Sequence, residues 1–318
     1  MPLLTLFTAP KPFTDPHIHT IQRNTLLNWL ALGDDVAVVV IGDEPGIAEV
    51  CSELGLCHLP DVRCNALGTP LISSIFSLAR DVNQSPFLAY ANADILFLPE
   101  LAQVIHTMGE KKAHFLGVGQ RWDVDITTQL DFSGAWGGPL RFLTEGTGQL
   151  HGQTGSDFFI YPRECFQEIP DFAVGRAGWD NWMLYWARRQ GWALVDFTQA
   201  LMVIHQNHDY RHLPGGEIHY RLPETMDNIK LAGGKRSIFA LTDAAYDFDG
   251  KALTRKPLTW QRFWREVEIF PLVKLHCRVL GWLSFAIFHP AKAFRETKRW
   301  LAGRRKRDPI TGDSDKVR

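Results

Sequence analysis

Residues 87–99 limit the possible folds of this 318-residue chain more than any other stretch. Two apolar runs there flank one polar island, Asn92-Ala93-Asp94. Such runs are typical of a buried strand in a mainly parallel sheet, and ligands of open α/β sheets bind where the strands end. A carboxylate beside so much hydrocarbon needs a partner, so we expect Asp94 to meet a cation. The alternative is a strand-end Asp that caps the next helix.

The charges are divided unevenly along the chain. Residues 255–318 contain 16 Lys and Arg against 6 Asp and Glu, a balance of +10. The rest contains 18 basic and 29 acidic residues, a balance of −11. A net charge of −1 argues against a general nucleic-acid binder, whereas a basic end on an acidic body indicates contact with an anionic surface.

The cysteines and the N-terminal residues indicate the cellular compartment in which the protein resides. The five cysteines are odd in number and form no CxxC pair, which is typical of a reducing compartment without disulfides or a zinc cluster. The first residues contain neither a basic n-region nor the apolar stretch of a signal peptide. We therefore expect a cytoplasmic protein.

Strand and helix patterns alternate through the first half of the chain. The β-branched run at residues 36–41 predicts a central strand, and residues 20–32 have apolar side chains at helical spacing. This alternation predicts an α/β domain with a mainly parallel sheet flanked by helices. We expect that domain to span residues 1–250, with an extension at 251–318. Dinucleotide and P-loop fingerprints are absent from the sequence.

Polar segments follow the later predicted strands. Residues 127–154, rich in Gly and Thr, predict a long loop. Residues 156–163 predict a strand with Asp157 near its head. A helix begins near Asp180, and a predicted strand at residues 200–204 ends just before His205 and His208.

The order of these motifs resembles that of the GT-A-fold nucleotide-sugar glycosyltransferases, over roughly residues 3–234. Asn92-Ala93-Asp94 stands where those enzymes have their Asp-x-Asp metal motif. Asp180, in Gly-Trp-Asp-Asn-Trp, resembles the later acidic motif at a helix start, and His205 and His208 resemble a C-terminal histidine that touches metal or diphosphate. The match is closest to a bacterial subgroup of glycosyltransferase-like proteins.

The resemblance implies that a sugar moves from a nucleoside diphosphate, most often UDP, to a glycan or lipid-linked acceptor. Asp94 and Asn92 would bind Mn²⁺ or Mg²⁺, with His205 and His208 nearby. Asn92 stands where the family has Asp, and its amide adds no charge, which leaves a metal-free variant open. Asp180 would be the general base of an inverting reaction. The alternative is that it is only an N-cap, and a helix N-terminus would lower its pKa.

The resemblance and the strand ends also suggest which residues contact the substrate. The expected contacts to the nucleotide are Thr8, Ala9, Lys11, Asp43, Arg63, Asn65 and Asn92. Asp157 would hold sugar or acceptor hydroxyls, and Trp179 would line the sugar site. As alternatives, Asp43 is a turn residue, Lys11 and Arg63 are surface charges, and Trp179 is a core residue.

Other functions stay open. A non-catalytic nucleotide-sugar-binding or scaffold protein is consistent with Asn92, and a sugar-phosphate nucleotidyltransferase would share the sheet but lacks its glycine-rich phosphate loop here. A zinc hydrolase built on the two histidines shows no third ligand at a recognised spacing. The GxSxG motif of serine hydrolases is absent from the sequence.

Residues 255–318 combine an apolar run at 279–288 with tryptophans and many cations. Aromatic and basic residues beside an apolar face are typical of an interfacial helix on anionic lipid. Docking to a partner protein and ordinary packing are the alternatives, and nucleic-acid binding by the Arg-rich end is a weaker one.

Overall fold

The computed structural model describes residues 1–208 and 222–305, with side chains up to residue 298. The chain forms two compact units, Met1–Pro257 and Leu258–Arg318. The boundary that the sequence suggested, near residue 250, falls between the two strands of a hairpin at Tyr246–Phe248 and Leu253–Arg255 in the first unit.

The strands of the described residues all lie in the first unit. In chain order they are β1 (Leu4–Thr8), β2 (Val36–Ile41), β3 (Cys57–Leu59), β4 (Phe87–Ala91), β5 (Ile95–Leu96), β6 (Phe115–Val118), β7 (Arg121–Val124), β8 (Gln149–Leu150), β9 (Phe158–Pro162), β10 (Ala193–Asp196), β11 (Val203–Gln206), β12 (Tyr246–Phe248) and β13 (Leu253–Arg255).

The helices divide between the two units. The first unit contains α1 (Pro16–Leu30), α2 (Ile47–Leu54), α3 (Ile72–Asp81), α4 (Leu101–Lys111), α5 (Gly137–Thr147), α6 (Trp179–Arg189) and α7 (Pro223–Leu231), and the second contains α8 (Trp260–Val273), α9 (Arg278–Phe288) and α10 (Pro290–Arg305). None of the helices in the described part of the chain combines the length and the hydropathy needed to cross a bilayer.

The main sheet confirms the predicted fold class. Among the described residues, nine strands lie in the order β13-β12-β10-β6-β9-β4-β1-β2-β3. They run parallel except for β13 at one edge and β9, which is antiparallel to both β4 and β6. Because β9 is reversed, the residue before it lies at the same edge as the carboxyl ends of the parallel strands.

The buried strands are almost continuously apolar, as strands covered on both faces must be. Leu6 of β1, Val40 of β2 and Ala89 of β4 are fully buried in one hydrophobic core. Burying one Leu or Val side chain stabilises the fold by about 1.5–3 kcal/mol. This core is the rigid frame from which the polar loops project.

A smaller sheet, in the order β5-β11-β7-β8, accounts for the main departures from the sequence-based expectations. The stretch 87–99 is not one strand but two, because the chain leaves β4 at Ala91 and enters β5 at Ile95. Strand β11 extends through His205 to Gln206, since it pairs with β7 on one side and β5 on the other. The predicted loop at residues 127–154 contains α5 and β8.

Candidate functional site

Asn92 and Asp157 lie side by side where the main sheet ends. Ala91 of β4 is paired with Phe158 of β9, and the next residue pair is held by a hydrogen bond from Asn92 N to Asp157 O of 2.9 Å. The Asn92 amide Nδ2 also donates to Asp157 Oδ1 at 2.9 Å. Arg121, which begins β7, donates to Asp157 Oδ2. The polar island is therefore tied to the adjacent antiparallel strand.

Helix α1 fixes two nearby segments through buried polar side chains. Gln22 bonds both backbone groups of Lys11, accepting from its N–H at 2.7 Å and donating to its carbonyl at 2.9 Å. Asn28 likewise accepts from the Phe97 N–H at 2.8 Å and donates to the Phe97 carbonyl at 3.0 Å. These hydrogen bonds fix the position of the loop after β1 and of the backbone just beyond Asp94.

The same helix holds the end of β11. Gln206 is fully buried, and its side chain accepts from Asn24 Nδ2 at 3.0 Å and donates to the Ile21 carbonyl at 2.8 Å. Its backbone N–H donates to the Asp94 carbonyl at 3.0 Å. The neighbouring His205 is thereby placed opposite the polar island.

Asp94, His205 and His208 form one cluster, in which one ligand atom of each lies within 4.8 Å of the others. His208 Nε2 is 3.1 Å and His205 Nε2 is 3.8 Å from Asp94 Oδ2. Lys11 Nζ lies 3.3 Å from His208 Nε2. Asp94 thus supplies the third group that the spacing of the two histidines did not reveal.

The charges of the cluster favour an ionised Asp94. Burial raises the pKa of Asp94, but the hydrogen bond from His208 and the charges of His205 and Lys11 outweigh it and hold the pKa well below its usual range. Burial lowers the pKa of His205, and burial also lowers the pKa of Lys11 against the opposing charge of Asp94. An anionic carboxylate beside a neutral imidazole is the protonation state that metal binding requires.

Two observations fit this cluster to a divalent cation. Asp94 Oδ1 is buried and accepts no hydrogen bond from the described residues. His208 Nε2 lies within hydrogen-bonding distance of a carboxylate oxygen, which needs a proton there, and of an ammonium group, which needs a lone pair. One ring nitrogen does not satisfy both at once. A cation held by the carboxylate and the two ring nitrogens would remove the conflict.

Asp123 on β7 is a site residue to which the sequence analysis gave no role. Its Oδ1 lies 3.1 Å from His205 Nδ1, without the alignment of a hydrogen bond, and accepts from Arg121 Nε at 2.9 Å. Its Oδ2 lies 2.7 Å from His151 Nδ1. A carboxylate beside a metal-binding histidine commonly orients the imidazole ring. Only the pairing of β7 with β11 reveals this contact.

We predict that Asp123→Asn weakens Mn²⁺ binding by about 10–100-fold, because His205 loses the charged group that orients its ring. Isothermal titration calorimetry with Mn²⁺ measures the effect. Asp131→Asn, which changes an exposed carboxylate bonded to Ser133 N, is the matched control and should bind Mn²⁺ as the wild type does. Equal affinities for all three proteins would show that Asp123 has no such role.

Asp180 is the second residue of α6, and Gly178 is the N-cap, in a left-handed conformation with φ of 113°. The Asp180 carboxylate accepts from Gly178 N at 3.0 Å, so it bonds the residue before the helix and does not occupy the cap position. The expectation that Asp180 is the N-cap residue is therefore wrong, although its carboxylate accepts from further backbone groups at the start of the helix. The expectation of a lowered pKa is also wrong, because burial raises the pKa of Asp180 and the charge of Asp157 raises it further, against backbone hydrogen bonds.

Asp157 links Asp180 electrostatically to the cluster, because its charge acts on the pKa values of both Asp180 and His205. Trp179 lies next to Asp180 and is 6% exposed. Its ring packs edge-on against Tyr90, with centroids 5.2 Å apart, two residues before Asn92. Trp179 therefore occupies an aromatic cluster under the site.

We predict that Asp180→Asn raises the melting temperature at about pH 7. A carboxyl whose folded-state pKa is raised stabilises the fold below its unfolded pKa, and this contribution is lost as the pH rises through the folded pKa. Asn lacks the ionised form but keeps an oxygen for Gly178 N. The gain should shrink towards about pH 4, measured in EDTA, while Asp227→Asn on α7 shows neither effect. A lower melting temperature at about pH 7 would contradict this.

The other predicted nucleotide contacts are dispersed. Thr8 ends β1, and its Oγ1 is buried without a partner in the described residues; Ala9, which is partly exposed, follows it. Asp43 is exposed in the loop after β2. Arg63 and Asn65 belong to a loop in which other contacts hold them: Arg63 Nη2 donates to Asp171 at 3.2 Å, and Asn65 Nδ2 donates to Glu224 at 2.6 Å.

Neither a family model nor a curated protein matches the sequence. Among solved structures, residues 1–349 of TarS from S. aureus match with a TM-score of 0.34 and 11% identity, over 52% of this chain and 48% of that chain. The mannosyltransferase PcManGT from Pyrobaculum calidifontis, in complex with GDP-Man and Mn²⁺, matches with a TM-score of 0.39 and 10% identity, over 66% of this chain and 58% of that chain. The chain thus spans less than two thirds of either structure, and neither match assigns it to a family.

Proposed function

We propose that the protein is a nucleotide-sugar glycosyltransferase of the GT-A class that its motifs resemble, dependent on a divalent cation. The observation that carries the proposal is the Asp94, His205 and His208 cluster, with Lys11 at its side and Asp157 acting through its charge on both His205 and Asp180. Ligands of open α/β sheets bind at this edge. A nucleoside diphosphate needs positive charge around its phosphates, and a cation held by the cluster, together with Lys11, would supply it.

Asp94, His205 and His208 would hold the cation. Two imidazoles and one carboxylate suit Mn²⁺ better than Mg²⁺, which prefers oxygen ligands. When bound, the cation offsets negative charge on the departing diphosphate. Asn92 Nδ2 donates to Asp157 and would hold that carboxylate towards the donor sugar or acceptor, while Asn92 Oδ1 would be a further oxygen ligand for the cation.

Asp180 would accept the proton of the acceptor hydroxyl. Burial gives it a raised pKa, and a base is most effective when its pKa approaches the working pH. Direct attack of that hydroxyl on the anomeric carbon breaks the bond to the diphosphate and inverts the configuration. We assign the nucleotide contacts to Lys11 beside the cluster, to Thr8 and Ala9 at the end of β1, and to Asp43, Arg63 and Asn65 in the loops that follow β2 and β3.

A thermal-shift panel of nucleoside diphosphates and their sugars, with and without Mn²⁺, tests this function. A ligand that binds only the folded state raises the melting temperature in proportion to its affinity. We expect a shift by one nucleotide, UDP first among them, that depends on Mn²⁺, together with slow hydrolysis of the matching sugar nucleotide. A shift without any turnover favours the scaffold alternative, and pyrophosphate release from a nucleoside triphosphate favours the nucleotidyltransferase. The absence of every shift would contradict the proposal.

A further inference from the structure

The first helix of the second unit presents a continuous apolar face to solvent. The exposed large apolar side chains of α8 are those of Trp260, Phe263, Trp264, Val267 and Phe270. Their spacing places them on one face of the helix. Ile269, Leu272 and Val273 occupy the other face and are buried.

Helix α9 repeats this arrangement with a second exposed apolar stripe, formed by Val279, Leu280, Leu283 and Ile287. Its opposite side packs on α8: a Cβ on Gly281 would lie 3.0 Å from Leu272 Cδ1, and Ser284 Oγ donates to the Glu268 carbonyl at 2.7 Å. The two helices thus pack against each other through their inner faces, and the apolar stripes remain exposed.

The charges around these stripes have one sign. Between residues 260 and 298, the exposed ionisable side chains are all basic: Lys274, His276, Arg278, Lys292, Arg295 and Lys298. The acidic residues of this segment are less exposed, and Glu268 is buried between Arg265 and His289, at 3.0 Å from each. Sequence beyond residue 298 adds further cations, among them Arg304-Arg305-Lys306-Arg307.

We propose that the outward faces of α8 and α9 bind an anionic lipid bilayer. Exposed apolar surface of this extent, rimmed by charge, marks an interaction site. Tryptophan and phenylalanine favour the boundary between headgroups and acyl chains, and the cations would meet anionic headgroups. A nucleic acid matches the charge but offers no apolar surface for the stripes. This inference is independent of the proposed transferase activity.

Cosedimentation of the full chain with vesicles tests the proposal. We expect binding to vesicles that contain phosphatidylglycerol, and at least tenfold weaker binding to pure phosphatidylcholine or in high salt, which screens the cations. The double variant Trp260→Gln, Ile287→Gln removes side chains that are 73% and 76% exposed and should bind at least tenfold more weakly. Phe142→Gln, at 80% exposed in the first unit, is the matched control and should bind normally.

A second variant tests whether the exposed basic side chains contribute to vesicle binding. Lys274→Gln with Arg278→Gln should weaken binding to the anionic vesicles, whereas Lys111→Gln, an exposed lysine of α4, should not. If the stripe variant misfolds by circular dichroism, quenching of tryptophan fluorescence by brominated lipid replaces it, and Trp260→Phe should show less quenching than the wild type. Absence of vesicle binding, equal loss in the controls, or capture by RNA or a protein in preference to vesicles would overturn the proposal.

Discussion

Asp180→Asn is expected to lower the rate of sugar transfer by about 10²–10⁴-fold, the range that a positioned general base contributes. The substitution keeps the size of the side chain and the oxygen that accepts from Gly178 N, but it removes the site for the proton of the acceptor hydroxyl. Binding of nucleotide and Mn²⁺ should stay unchanged, because the cluster that we propose as their binding site consists of other residues. Initial rates at saturating donor measure the first effect, and the thermal shift measures the second.

The same variant therefore combines a large loss of activity with a gain in stability at about pH 7. That combination is typical of a residue whose ionised form disfavours the fold and serves the reaction. Asp227→Asn on α7, an exposed residue paired with Lys230 at 2.6 Å, controls for the loss of a carboxylate. Full transfer activity in Asp180→Asn would show that another group is the base.

Asp94→Asn is expected to abolish the Mn²⁺-dependent thermal shift and to lower transfer by at least about 10²-fold. The charge of a metal ion at the leaving group is worth several kcal/mol, and each 1.36 kcal/mol corresponds to a factor of about ten. The amide keeps the shape of the side chain but brings no charge to the two histidines or to Lys11. Calorimetry with Mn²⁺ and initial rates measure the two effects.

The pH dependence of Asp94→Asn should have the opposite sign to that of Asp180→Asn. The lowered pKa of Asp94 contributes stability above the unfolded pKa, and this stability is lost as the pH falls through the folded pKa. The metal-free variant should therefore melt below the wild type at about pH 7, with the difference shrinking in acid. Asp227→Asn on α7 serves as the control, and an Asp94→Asn protein that still binds Mn²⁺ with wild-type affinity would exclude Asp94 as a ligand.

The sequence predicts the strands and helices of the main sheet because the residue patterns that specify them are local. The apolar run of residues 36–41 is a strand of the main sheet, and the helix predicted at residues 20–32 is α1, Pro16–Leu30. The grouping of Asp94 with two distant histidines follows from the order of motifs that resembles the GT-A-fold enzymes. Such expectations do not require knowledge of which residues pair across neighbouring strands.

The unpredicted features depend on pairings between distant segments. Asp123 faces His205 because β7 and β11 are in register there, which no spacing in the sequence reveals. The buried polar residues Gln22 and Asn28 bind backbone groups of Lys11 and Phe97, and they look like ordinary helix residues until those partners are known. The pKa of Asp180 rises because burial outweighs the helix N-terminus, and burial is a property of the folded chain.

Anomalous scattering from crystals soaked in Mn²⁺ and UDP is the most direct test of the central claim, that Asp94, His205 and His208 bind the cation that holds the donor. We predict a manganese peak within about 2.0–2.5 Å of a ligand atom from each of these residues, with diphosphate density between the peak and Lys11. The Asp94→Asn protein should show no such peak. A manganese peak elsewhere, or nucleotide bound away from this cluster, would contradict the account.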